Sequence, residues 1–186
     1  MTLARRTGCP LTGDDWVQAG FAVLAEDGPN ALRIGRLCER LEVTKGSFYW
    51  HFTDMRAYRA ALADAWANLY DERRRRFESL RRTDPRGRLL EMMQALMRSD
   101  HWALERAMRI WAMSDDAVLE SVRRSDVRVL SAVRHAFVDC GFDEDEATLR
   151  SSVLFAAGVG LLHEARSAAD APAAVHERVL DLMLRR

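Results

Sequence analysis

The stretch GPNALRIGRLCERLEVTKGSFYWHFTDMRAY, residues 28–58, decides how the chain is read. Two short helical patterns lie within it. Ile34 to Leu41 places Leu37, Cys38 and Leu41 on one apolar face. After a break at Glu42 and Val43, a second helix is expected from Thr44 to His51. Two short helices joined by a tight turn are the unit in which one helix is held against a partner and the other is presented outward.

The second of these helices has a mixed surface. Thr44, Lys45, Gly46 and Ser47 open it with small or cationic polar groups, while Phe48 and Phe52 supply the apolar side that packs it down. Tyr49, Trp50 and His51 add aromatic rings with polar tips. Hydroxyls, free amides at a helix start and a cation are what reach phosphates, and a glycine permits close approach, so the pattern points to a DNA duplex and its major groove. A merely solvated helix is the plainer alternative. Seven or eight residues that expose Tyr49 and Trp50 together argue against it, because exposed large aromatics mark contacts.

Outward from this unit the chain reads as helix throughout. Its four prolines, Pro10, Pro29, Pro85 and Pro172, all fall between segments of helical periodicity, and no run of alternating β-branched residues suggests a strand. Helices are expected at Thr12 to Asp27, Ile34 to Leu41, Thr44 to His51, and from the cap Asp54 to Leu80. Five more follow, from Asp84-Pro85 to Met97, His101 to Met113, Asp116 to Cys140, Glu144 to Ser167 and Pro172 to Leu184. The expected fold is all-α, with about nine helices. A helix-turn-helix DNA-binding domain over 1–53 is joined by the long fourth helix to a helical domain over 54–186.

Composition restricts the class of protein. Of 186 residues, 48% are hydrophobic and 30% charged, too apolar for a disordered chain. No apolar run is long enough to cross a bilayer, and Met1 to Pro10 lacks a signal-peptide core, so the expectation is a cytoplasmic protein with no membrane partner. The 28 basic and 28 acidic residues cancel, so bulk charge is silent on nucleic acid. Lys45 is the only lysine of the chain. The run Arg73 to Arg76 has acidic neighbours and reads as a solvated helix face. Cys9, Cys38 and Cys140 are too dispersed for a disulfide framework or a zinc site, and Cys38 and Cys140 read as small core residues.

Catalytic patterns are absent. His163-Glu164 and His176-Glu177 start like a zinc-protease motif, but Ser167 and Leu180 stand where the second histidine would be. There is no phosphate loop after a strand and no nucleophile elbow, so neither enzyme chemistry nor a metal or cofactor is expected.

TKGSFYWHF followed by a capped helix resembles the signature of the TetR/AcrR regulators, over about Leu11 to Leu62. The resemblance implies a homodimeric regulator, a repressor that binds a pseudo-palindromic double-stranded operator and is released by a small molecule. By position it implies DNA contacts for Arg33, Thr44, Lys45, Gly46, Ser47, Tyr49, Trp50, His51 and Arg56. Thr44 and Lys45 would touch phosphates and base edges, Tyr49 and His51 the backbone, and Ser47 and Trp50 the bases or thymine methyls. Three positions depart from the pattern: Glu42 stands for the usual turn glycine, Arg33 for a capping threonine and Met55 for a lysine. A left-handed turn at Glu42 would cost about 1 kcal/mol. These departures keep a second reading open, a TetR-like chain that has lost DNA binding and acts through protein contacts.

For the helical domain the resemblance implies a ligand pocket. Trp66, Met97, Trp102, Met108, Trp111 and Phe137 are its candidate lining, suited to a hydrophobic effector, and ordinary core is the alternative. Val153, Ala156, Ala157, Gly160 and Leu161, continued by Val179, Leu182 and Met183, form a small and apolar stripe suited to a dimer interface or to intramolecular packing.

Overall fold

Thr12 starts the first helix. Its hydroxyl accepts from the Asp15 N–H at 3.3 Å, and its own N–H donates to the Asp15 carboxylate at 2.7 Å, a capping box that satisfies donors at the head of α1 (Gly13–Asp27). Gly28 ends α1 at φ 78°, donating its N–H to the Leu24 carbonyl, and Pro29 leads into a single 3-10 turn, Pro29–Ala31. The helix-turn-helix follows as α2 (Ile34–Leu41) and α3 (Lys45–His51). Asp54 caps α4 (Met55–Ser79) by accepting from the Ala57 N–H at 2.7 Å. Then come α5 (Pro85–Leu96), α6 (Ser99–Ala112), α7 (Asp116–Asp139), α8 (Glu144–Glu164) and α9 (Ala173–Leu184). Asp115 caps α7 through the Ala117 and Val118 N–H groups, and Asp143 accepts from the Glu146 N–H at 2.8 Å.

This computed structural model describes residues 11–79, 84–96, 99–164 and 173–185, leaving aside the side chains of 70–79, 94–96, 99–101, 164 and 173–176. Among the described residues every element is helical, as the periodicity predicts, and none is long and apolar enough to cross a membrane. The sixth helix begins two residues before the expected His101, at Ser99. Leu80, Met97, Ser167 and Pro172, expected at helix ends, lie outside the described residues, as do the side chains of Arg73 to Arg76 and His176.

Two apolar clusters hold the helices together. The first gathers Trp16, Leu24, Leu37, Phe48, Tyr58, Leu62, Trp66, Met108, Trp111 and Val118, so the core beneath α1–α3 runs without interruption into α4, α6 and the start of α7. The second joins α5, α7, α8 and α9 through Leu89, Met92, Met93, Val133, Phe137, Ala147 and Leu180. Because α2, α4 and α6 all pack on α1, its buried surface is wider than one stripe. Trp16, Ala19, Gly20, Phe21, Val23 and Leu24 are all buried, and Val17 is half-buried.

The α1–α4 contact depends on Gly20. A Cβ there would stand 2.1 Å from the Tyr58 hydroxyl and 2.9 Å from Leu62 Cδ1. The small residue lets the phenol reach past it and donate to the Trp16 carbonyl at 2.8 Å. Burial pushes the Tyr58 phenol far above its ordinary pKa, so it stays a donor at every ordinary pH.

Candidate nucleic-acid interface

The geometry between α2 and α3 is set by Glu42. It adopts φ 55° and ψ 43°, the one non-glycine with positive φ among the described residues. Its N–H donates to the Glu39 carbonyl at 3.3 Å and the Val43 N–H to the Cys38 carbonyl at 3.0 Å, the paired bonds that close a helix through a left-handed residue. The turn at this position is therefore left-handed, and a residue with a Cβ occupies a conformation that glycine fits best.

Two ion pairs lock α2 to the end of α1. Arg40 makes a two-pronged pair with Glu26 at 2.6 and 2.7 Å, and Arg36 donates twice to Asp27 at 2.9 and 3.1 Å. The hydrogen bond from Arg40 holds the Glu26 carboxyl below its ordinary range. Beneath them lie Leu37 and Cys38, a free thiol whose pKa burial pushes up.

Packing beneath α3 is aromatic. Phe48 is fully buried and meets Trp16 edge-on at 5.4 Å between centroids, Tyr58 at 5.6 Å and Phe52 at 5.5 Å, while Phe52 meets Tyr58 at 4.9 Å. Seven residues cannot hold a helix alone, so these rings are what keep α3 formed and oriented. The opposite side is open. Tyr49 is 58% and Trp50 88% exposed, with Lys45, Gly46 and His51 exposed beside them and Ser47 half-buried. Thr44 caps α3 by its extended backbone alone; its side chain makes no capping bond and is exposed.

The flanking candidates sit on neighbouring helices. Arg33 precedes α2 as its N-cap, without a capping bond, and its Nε donates to the Asn30 carbonyl at 3.2 Å. Arg56 is exposed in the first turn of α4. Met55 packs against the first core cluster, so the side chain that replaces a lysine points inward and Arg56 is the outward cation.

In the helical half the candidate pocket residues do not converge on one place. Trp66, Met108 and Trp111 belong to the first cluster and Phe137 to the second; Trp102 is also buried, and Met97 lies outside the described residues. Sequence reading missed a polar layer here. Arg109, on α6, donates to Glu105 at 2.8 Å and to both oxygens of Asp126 on α7 at 2.7 and 3.1 Å, with Glu105 only 7% exposed. Burial opposes the guanidinium charge, but the two carboxylates outweigh it and raise the Arg109 pKa. Buried Ser121 and Ser125 lie on the same α7. Arginine and carboxylates on helices are ordinarily surface groups, so nothing in the sequence marks these as withdrawn from solvent.

Of the stripe on α8, Val153, Ala156, Ala157 and Gly160 are exposed and Leu161 is half-buried. Leu149, one turn earlier at 59% exposure, extends it, and its spacing of four from Val153 was the signal available in the sequence. On α9, Leu182 is 62% exposed, whereas Val179 and Met183 pack against their own second core.

A family model for bacterial regulatory proteins of the tetR family matches residues 17–62. No curated protein matches the sequence. Among solved structures, a transcriptional regulator of Rhodococcus sp. Rha1 is similar at TM-score 0.76 and 22% identity, over 94% of each chain. A TetR transcriptional regulator from Legionella pneumophila is similar at TM-score 0.77 and 10% identity, over 95% of this chain and 97% of that one. Salmonella enterica GusR gives 0.69 and 18%, over 96% and 97%. Residues 17–62, which include the helix-turn-helix, are thus similar to the tetR family of bacterial regulatory proteins, and the described residues share the all-helical fold of these solved regulators.

Proposed function

We propose that the protein is a homodimeric repressor that docks two copies of α3 into successive major grooves of a pseudo-palindromic operator and is released by a hydrophobic small molecule. The observation that carries the reading is the two-sided α3: Phe48 is fully buried, while Trp50 at 88% and Tyr49 at 58% stand exposed beside Lys45. Apolar rings held in water on a packed short helix are explained by a partner that covers them. Thr44 and Lys45 are assigned to phosphates and base edges near the start of α3, Ser47 and Trp50 to the bases or thymine methyls, and Tyr49 and His51 to the backbone. Arg33 and Arg56 are further phosphate contacts.

The dimer is assigned to α8 and α9. Leu149, Val153, Ala156, Ala157 and Gly160 recur at helical spacing on an exposed face, and Leu182 adds an exposed apolar group from α9. Small residues along such a face let two helices approach closely. Residues 1–53 then read DNA, and residues 54–186 sense the effector and dimerise. This is a division of roles, since the first apolar cluster includes both Phe48 and Trp111. Because α6 packs on α1 and on the 3-10 turn, an effector that shifts α6 or α4 would move the reading heads directly. Operator half-sites repeat at about 34–36 Å, so a few ångströms of movement breaks simultaneous docking, and each ligand lowers affinity for the other by the same factor.

Titration of the full chain with DNA flanking its own gene tests the reading. Sequence-preferring binding is expected. Lys45→Ala should weaken it and reduce the slope of log affinity against log salt by about 0.9 for each phosphate that is no longer neutralised, and Tyr49→Ala should weaken it as well. Absence of any sequence preference at low salt, with neither variant changing binding, sinks it.

A further inference from the structure

The ion cluster between α6 and α7 borders an exposed apolar strip. Residues 113–115 join the two helices and Arg109 faces Asp126, so α6 and α7 run antiparallel. In such a pair the residue that follows each facing one points to the same side, because successive residues turn about 100° around a helix. Those residues are Ile110 and Val127, and both are exposed. The Phe155 ring of α8 stands 5.8 Å from the Arg109 guanidinium, which itself remains partly accessible.

The cation is held in an exchangeable way. Asp126, its two-pronged partner, keeps 22% of its side chain accessible and can swing into solvent, whereas Glu105 is buried one turn away on the same helix. Arg106 shares a face of α6 with Arg109 and Ile110, and its Nε is out of solvent with no hydrogen-bond partner among the described residues. A buried donor left unpaired costs free energy that an added acceptor recovers. Glu105, Arg106, Arg109 and Asp126 carry no net charge together, so with Asp126 turned out the site is singly positive. A singly charged carboxylate matches it, in the fork geometry that Arg109 already uses.

We infer that Arg106 and Arg109 form a seat for an amphipathic carboxylate, whose head group replaces Asp126 on Arg109 while its apolar body covers Ile110, Val127 and Phe155. The exchange breaks a tie between α6 and α7 and loosens α6, which packs on α1 and on the 3-10 turn. The effector role of this ligand rests on the release by a small molecule proposed above, to which the seat adds a chemical class.

Calorimetry of the full chain with decanoate below its micelle threshold, and with decanol, tests the seat. Decanoate should bind saturably and about tenfold or more tighter than decanol, the worth of one charge-assisted hydrogen bond. Asp126→Asn removes the competing carboxylate and should tighten decanoate binding, while Arg109→Gln should weaken it by about tenfold or more. Arg109→Gln also removes a bond to Glu105, so its melting temperature is measured alongside. The gain of binding in Asp126→Asn is a result that loss of fold does not imitate. No binding of decanoate, equal affinity for the two probes, or an Asp126→Asn affinity no tighter than that of the wild type overturns the seat and leaves DNA binding and release by another ligand standing. Operator titration with and without saturating decanoate separates the two readings. Operator binding weakened in the wild type and not in Arg109→Gln supports both, whereas unchanged operator affinity despite decanoate binding keeps the seat and overturns its effector role.

Discussion

Two single residues carry opposite strains. Glu42 sits at φ 55°, where its Cβ crowds the backbone, so Glu42→Gly should stabilise the fold by about 1 kcal/mol, partly offset by the greater freedom of glycine in the unfolded chain. A melting temperature that falls in this variant would show that the glutamate side chain contributes more than its backbone costs. At Gly20 the same logic reverses. Gly20→Ala drives a methyl into the Tyr58 hydroxyl and should cost about 1–3 kcal/mol, visible as a lower denaturation midpoint. An unchanged midpoint would mean that α1 and α4 separate freely. The two positions also differ in how readable they were. Glu42 follows a helix pattern directly in the chain, so its left-handed turn is a local matter. Gly20 lies inside a helix, and its necessity comes from a tyrosine 38 positions later that only the packed fold brings against it.

At the scale of elements, α3 is too short to persist on its own and α2 is little longer, so their mutual angle is inherited from α1. Phe48, inserted among Trp16, Tyr58 and Phe52, supplies the apolar part of that hold. The Arg40–Glu26 and Arg36–Asp27 pairs supply the polar part. Exposed pairs of this kind contribute modestly and are weakened by salt, so their role lies more in fixing direction than in stability. Glu26 has a folded pKa below the ordinary 4.5, so its contribution is complete above that pH and is lost as pH falls through the lowered value. Glu26→Gln should therefore show a shallower loss of melting temperature on acidification below about pH 4.5 than the wild type does. Identical acid profiles would mean that the pair does not bind α2 to α1 in solution. Caps were the most legible feature at this scale: Asp54 acts where the pattern placed it, and Thr12 caps the helix that the pattern began there, because a cap bonds only to residues two or three positions away. The partners of Arg36 and Arg40 were not legible, since they depend on where α1 ends in space.

For the whole molecule, the continuous core from Phe48 to Val118 ties α3 to the helical half, and the second core lies under α8 and α9. If α8 and α9 join two copies, placing aspartates at Leu149 and Val153 should yield a monomer in sedimentation that keeps its helical content and loses most operator affinity. A variant that stays dimeric would move the interface elsewhere. The sequence by itself determined the helices, their caps, the helix-turn-helix and the outward polar-aromatic character of α3, because each depends on residues within one or two turns of one another. Only the tertiary structure decided that Glu105, Arg109 and Asp126 form a part-buried ion cluster, that Phe137 lies in a different core from Trp66, Met108 and Trp111, and that Val179 and Met183 face inward while Leu182 faces out. Those outcomes depend on which helix lies against which. Helical periodicity assigns a residue to one side of its own cylinder and says nothing of the neighbour that side will meet.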